Sequence, residues 1–124
     1  MIVSTIAKGD LTCSSKEEII KILTEGAALQ RGDEIWISNN GEVYPCLNIL
    51  VKNKNACVHY FKDEGEVQQS CGDDFDAEDV VFLAGNEEWA APGYTIISFN
   101  QAIKCMEEFF DTLECPKCIK WDDL

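Results

Sequence analysis

Cys115-Pro116-Lys117-Cys118 has the spacing by which two thiols share a metal ion or cycle between dithiol and disulfide. A structural zinc site needs four ligands, usually two such pairs or one pair with two histidines. The chain offers one pair and a single histidine, His59, on an expected strand. A thioredoxin-like thiolate is stabilised at a helix N-terminus. This pair follows an expected helix instead, at the negative end of its dipole and beside Glu114. A zinc deaminase would carry His-x-Glu followed by Pro-Cys-x-x-Cys. Here His59 leads into Tyr60-Phe61, and the proline lies inside the pair. Two packing thiols are therefore expected, with no metal and no cofactor. A thiol- or metal-dependent redox protein using Cys115 and Cys118 is the alternative reading.

The acids of Asp73-Asp74-Phe75-Asp76-Ala77-Glu78-Asp79 could suggest calcium. An EF-hand loop begun at Asp74 needs Gly at its sixth position and Glu at its twelfth. The chain supplies Asp79 and Gly85 there. No Gly-x-Ser-x-Gly elbow or phosphate-cradling glycine loop is present, and His59 has no partner pattern with a Ser or Cys. No catalytic residue is assigned, and the chain is not expected to be an enzyme.

Charge is more informative. The first 62 residues hold seven acids and seven bases, so the net charge of −13 lies wholly in the remainder. From Asp63 to Ile103 there are ten carboxylates and no Lys or Arg. Such segregation suits a solvated acidic face, or a docking surface for a basic partner. It opposes binding to nucleic acid, whose phosphates would be repelled. The expected partner surface comprises Asp63, Glu64, Glu66, Asp73, Asp74, Asp76, Glu78, Asp79, Glu87 and Glu88. Phe75 or Trp89 would add an apolar anchor within that rim, although either equally suits the core.

These residues need a scaffold. A chain of 124 residues suits one domain spanning 1–124 with a single core. No stretch nears the roughly 20 apolar residues that cross a bilayer, so no membrane association is expected. The N-terminus has neither a basic flank nor an apolar signal segment. Seven unevenly spaced cysteines fit buried thiols in a reducing compartment, so a cytoplasmic location is expected.

Ile2 to Ile6 reads as a strand, and Ser14 or Ser15 as the cap of a helix through Ala27, with Ser15-Lys16-Glu17-Glu18 at capping-box spacing. Strands follow at Ile35–Ile37, Cys46–Lys52 and Cys57–Phe61, then Glu66–Ser70, Val80–Leu83, Tyr94–Ile97 and Cys118–Trp121. Leu47, Ile49 and Val51 make one apolar face, while Cys46, Asn48, Leu50 and Lys52 make a mixed one. Gly85 to Gly93 reads as a loop containing Pro92. Ser98-Phe99-Asn100-Gln101 caps a second helix, with Phe109, Phe110 and Trp121 expected in the core. The sum is an α+β fold: a mainly antiparallel sheet of about six strands with two helices on one face.

Cys57-Val58-His59-Tyr60-Phe61-Lys62-Asp63-Glu64-Gly65 resembles the strand-and-turn segment of a family of bacterial polymorphic-toxin immunity proteins. So do Ile96-Ile97-Ser98-Phe99-Asn100-Gln101-Ala102, Glu108-Phe109-Phe110, Pro116 and Ile119-Lys120-Trp121. The resemblance covers roughly Leu47 to Leu124. That family often has a Gly-containing turn before the proline, where this chain has Thr112-Leu113-Glu114-Cys115. Its members include immunity partners of DNA-acting deaminase toxins and of toxins delivered by cell contact. The resemblance implies a monomer that forms a heterodimer with a cognate basic toxin domain, one that targets nucleic acid. The inhibitor would cover a basic groove like a substitute polyanion. An acidic regulatory module with an unrelated partner is the other binding reading.

Overall fold

Alternation in one strand divides the molecule into its two sides. The computed structural model describes residues 1–124. In chain order the elements are β1 (Ile2–Thr5), β2 (Gly9–Thr12), α1 (Lys16–Ala27), β3 (Asp33–Ser38), β4 (Cys46–Lys52) and β5 (Asn55–Asp63). Then come β6 (Glu66–Cys71), β7 (Val80–Ala84), β8 (Glu87–Ala91), a 3-10 turn (Gly93–Thr95), β9 (Ile97–Ser98), α2 (Phe99–Thr112) and β10 (Lys120–Asp123). One antiparallel sheet has the order β10-β6-β5-β4-β3-β1-β2, with the short β9 added to β5. Strands β7 and β8 form a separate hairpin.

The fold is α+β as expected, but the main sheet has eight strands rather than about six. Strand β2 is one addition: it pairs Ile2↔Thr12 through Thr5↔Gly9 with β1. Outside the main sheet, β8 is a further unexpected strand, within the stretch expected to be a loop. Gly85 and Asn86 have φ of 60° and 65° and join β7 to β8. Positive φ at both central residues is the requirement of the type I′ turn, whose twist matches that of paired strands. Pro92 lies just beyond β8 and does not interrupt it. The expected strand over Tyr94–Ile97 is instead mostly 3-10 turn, with only Ile97 and Ser98 in β9.

Both helices lie on one face, and their caps show why they begin where they do. Ser15 Oγ accepts from Glu18 N at 3.3 Å, and Ser98 Oγ accepts from Gln101 N at 3.1 Å. The Gln101 side chain accepts in return from Ser98 N at 2.9 Å, completing the reciprocal box. Helix α2 ends at Leu113, which takes the left-handed conformation (φ 59°) usually given to glycine.

Ile35, Ile37, Leu47, Ile49, Val51, Val58 and Tyr60 point toward the helices. With Ile19, Leu23, Cys105, Met106, Phe109 and others they form a cluster of 19 buried residues. Phe109 is fully buried, whereas Phe110 and Trp121 are half-buried at the cluster's margin rather than inside it. On the opposite face Leu50 and Cys57 meet Phe82 and Ala91 of the β7–β8 hairpin in a cluster of four. The hairpin covers only part of that face.

Candidate functional site

The expected partner residues divide between the two ends of β6. Asp63, Glu64 and Glu66 form the β5–β6 turn. Asp73, Asp74, Phe75, Asp76, Glu78 and Asp79 lie in the segment joining β6 to β7. A six-residue strand separates the groups by roughly 20 Å, so they do not form one continuous patch. Glu87, Glu88 and Trp89 lie on β8.

All ten carboxylates are exposed. Only two of the ten form ion pairs: Lys62–Glu66 at 3.8 Å and Arg31–Glu88 at 3.6 Å. Three accept backbone hydrogen bonds, two within their own turns and one from beyond the hairpin. Asp63 accepts from Gly65 N, Asp74 from Asp76 N, and Asp79 from Gly93 N at 3.0 Å. The β6–β7 segment is strapped down where the backbones approach most closely. A Cβ on Gly93 would lie 1.7 Å from the Ala77 carbonyl oxygen, and one on Gly72 would lie 2.2 Å from that of Ile96. The acidic segment is thus tied to the fold at both of its ends. Phe75, 72% exposed, is outside the core, while Trp89 is half-buried.

Between the two acidic regions lies a groove that sequence reasoning missed. On the helix-free face, Trp36 is opposite Asn48, Asn48 opposite His59, and His59 opposite Gln69. The next row, Ser38, Cys46, Phe61 and Val67, leads toward the acidic β5–β6 turn. The β7–β8 hairpin borders the other side: Gly85 N at its tip donates to Glu34 Oε1 at 2.9 Å. Two adjoining hollows share Trp36 and Phe61. The one nearer the hairpin, about 260 Å³, is also lined by Glu34, Asn48, His59 and Trp89. The other, about 370 Å³, is also lined by Glu42, Val43 and Tyr44.

Aromatic rings follow one another across this floor. Ring centroids are 5.3 Å apart for Trp36–Phe61, 6.4 Å for Phe61–His59 and 6.1 Å for His59–Trp89. Trp36, Tyr44 and Val43 remain 37%, 38% and 73% exposed. A contiguous apolar surface of this kind marks interaction sites more often than isolated exposed side chains do. Its sequence signal was the aromatic content of the polar face: Trp36 alternates with Ile35 and Ile37, and Phe61 follows Tyr60 in the opposite orientation.

A chain of hydrogen bonds runs along the floor. Asn48 Nδ2 donates to Glu34 Oε2 at 3.0 Å, and Asn48 Oδ1 lies 3.3 Å from His59 Nδ1. Gln69 Nε2 lies 2.9 Å from His59 Nε2. An amide oxygen can only accept and an amide nitrogen only donate. The network therefore assigns the proton of a neutral His59 to Nδ1, which donates to Asn48. Burial holds the His59 imidazole below its ordinary pKa against the opposing pull of Glu34, which agrees with the neutral form. Every donor in the chain points toward Glu34.

The cysteines form no zinc-like constellation. Cys115 Sγ donates to Gln68 Oε1 at 2.9 Å, and burial pushes its thiol up to about 11. Cys118 Sγ is 3.6 Å from Cys105 Sγ rather than paired with Cys115. Cys118 is exposed, so it is not the packed thiol expected. All seven cysteines are free, and no group of three or more potential ligands is placed to hold a metal ion.

No helix is long and apolar enough to cross a membrane. No curated protein matches the chain in sequence. The family model for Immunity protein Imm1 matches residues 7–123, from the turn after β1 to the end of β10. With the match spanning nearly the whole sheet and both helices, the chain belongs to the Imm1 immunity protein family, whose place in polymorphic toxin systems supports a toxin-neutralising role.

Proposed function

We propose that this chain neutralises a cognate, basic toxin domain in the cytoplasm by binding it as a monomer in a one-to-one heterodimer. Inhibition is by occlusion rather than catalysis. The toxin is of the nucleic-acid-targeting kind, a deaminase or a nuclease, whose substrate-binding groove must be basic. The observation that carries this reading is the charge of the β5–β6 turn, the β6–β7 segment and β8. They present ten exposed carboxylates without a Lys or Arg among residues 63 to 103. Of these, only Glu66 and Glu88 are in ion pairs. Such a field accelerates encounter with a basic partner and repels free nucleic acid.

Steering is long-ranged and screened over roughly 8–10 Å at physiological salt. Replacing Asp73, Asp74 and Asp76 together with asparagine should therefore slow association with the toxin domain and flatten its salt dependence. The fold should be unchanged. Stopped-flow binding across a salt series measures this, beside a control set at Glu17, Glu18 and Glu25 on α1. If the control set weakens binding and the acidic segment does not, the toxin docks on the helical face and the proposed surface is wrong.

A further inference from the structure

Glu34 is an ionisable side chain without a cation. None of the chain's four ion pairs includes it, yet it is half-buried at the wall of the aromatic groove. Its carboxylate is held at both oxygens, by Gly85 N at 2.9 Å and Asn48 Nδ2 at 3.0 Å. A carboxylate has about four acceptor positions, so each oxygen keeps one to offer. Trp36 and Phe61 stand on the groove floor beside it.

The geometry points to this groove as the socket for an arginine side chain of the toxin domain, its guanidinium paired with Glu34 and stacked on Trp36. The inference rests on the toxin-binding reading above and assigns its central contact. The arrangement selects arginine on three counts. A guanidinium presents a planar fork that matches the free positions of a carboxylate. It is weakly hydrated and stacks on indole faces, whereas a lysine ammonium does neither so well. Two polar partners already fix Glu34, so little ordering remains to be done when the cation arrives. The exposed acids at either end of β6 then act as the rim, attracting the toxin without anchoring it.

The test uses the full chain with a basic toxin domain that the wild type neutralises. Glu34→Gln removes the charge while keeping the shape, and Trp36→Ala removes the stacking surface. Dissociation should accelerate about tenfold or more in each, with association near the wild-type rate. The rim control Glu64→Gln should change dissociation by less than about twofold. Melting curves and the far-ultraviolet spectrum establish that each variant is folded, and Trp36→Phe provides a milder second variant. Unchanged dissociation in both groove variants, or acceleration no greater than in the rim control, overturns the inference even though the toxin binds.

A wild-type chain that binds no basic toxin domain defeats the underlying reading instead, and arginine amide then serves as the probe. Saturable quenching of tryptophan fluorescence by arginine amide, absent with citrulline amide and lost in Glu34→Gln, supports the socket. Identical responses to the two amides overturn it.

Discussion

The two faces of the main sheet are made by the same strands and closed in different ways. Toward the helices, alternate residues of β3, β4 and β5 are aliphatic apart from Tyr60 and enter a 19-residue cluster sealed by α1 and α2. On the other face the same strands present Glu34, Trp36, Asn48, His59 and Phe61. Leu50 and Cys57 there are roofed by Phe82 and Ala91 of the hairpin. Apolar area removed from water stabilises the fold by roughly 25 cal/mol per Å², and the helical face accounts for most of that area. The helix-free face keeps large rings partly in water, where they contribute less to stability and remain able to bury area against a partner. One face holds the protein together, and the other is left partly open.

Substitutions on the two faces should separate stability from binding. Phe109→Ala, at a fully buried position packed edge-on against Tyr60, should lower stability by about 4–5 kcal/mol. A thermal or denaturant melt measures this, and a loss under about 1 kcal/mol would remove the helical face from its central role. Phe82→Ala should lower stability by about 3 kcal/mol, the low end for such changes, because the four-residue cluster beneath the hairpin can partly settle into the gap. Its signature should be local: faster hydrogen exchange in β7 and β8 than in β4. Trp36→Ala should lower stability by only about 1 kcal/mol, the loss of its contact with Phe61, despite removing the larger side chain.

The smallest effect is one of pH. Burial lowers the folded-state pKa of His59, so the unfolded chain takes up its proton first as pH falls. His59 therefore contributes fully above about pH 6.5 and progressively less as pH drops toward its lowered folded value. His59→Gln should flatten the decline in melting temperature between about pH 7 and pH 5.5 relative to wild type. Parallel declines would mean that His59 is not held neutral between Asn48 and Gln69.

The legible parts of this molecule were those governed by local rules. Both helix starts followed from Ser15 and Ser98, and the two sides of β4 from alternation alone. Strand β8 falls in a stretch that Pro92 makes look like a loop, although Gly85-Asn86 is itself a hairpin signal. Strand β2 was missed because Gly9-Asp10-Leu11-Thr12 has almost no apolar pattern; it exists because β1 offers a free edge. The acidic residues were identified by counting charge, which is a property of sequence. Their division between the two ends of β6 is a property of register. The groove was the least legible, since Glu34, Trp36, His59 and Phe61 come from two strands separated by β4 and meet only through pairing.

The sheet ends in β2 on one side and β10 on the other, each only four residues long. An edge strand offers unpaired amides and carbonyls to any passing extended chain, and short, charged edges blunt that invitation. Lys120, Asp122 and Asp123 occupy three of the four positions of β10, and Asp10 lies in β2. Ladder growth from either border would stop after a few hydrogen bonds and would bring carboxylates against the incoming strand. The two borders thus favour a chain that stays separate from its own copies, and they leave recognition of any partner to side chains rather than to the backbone, which is alike in every protein.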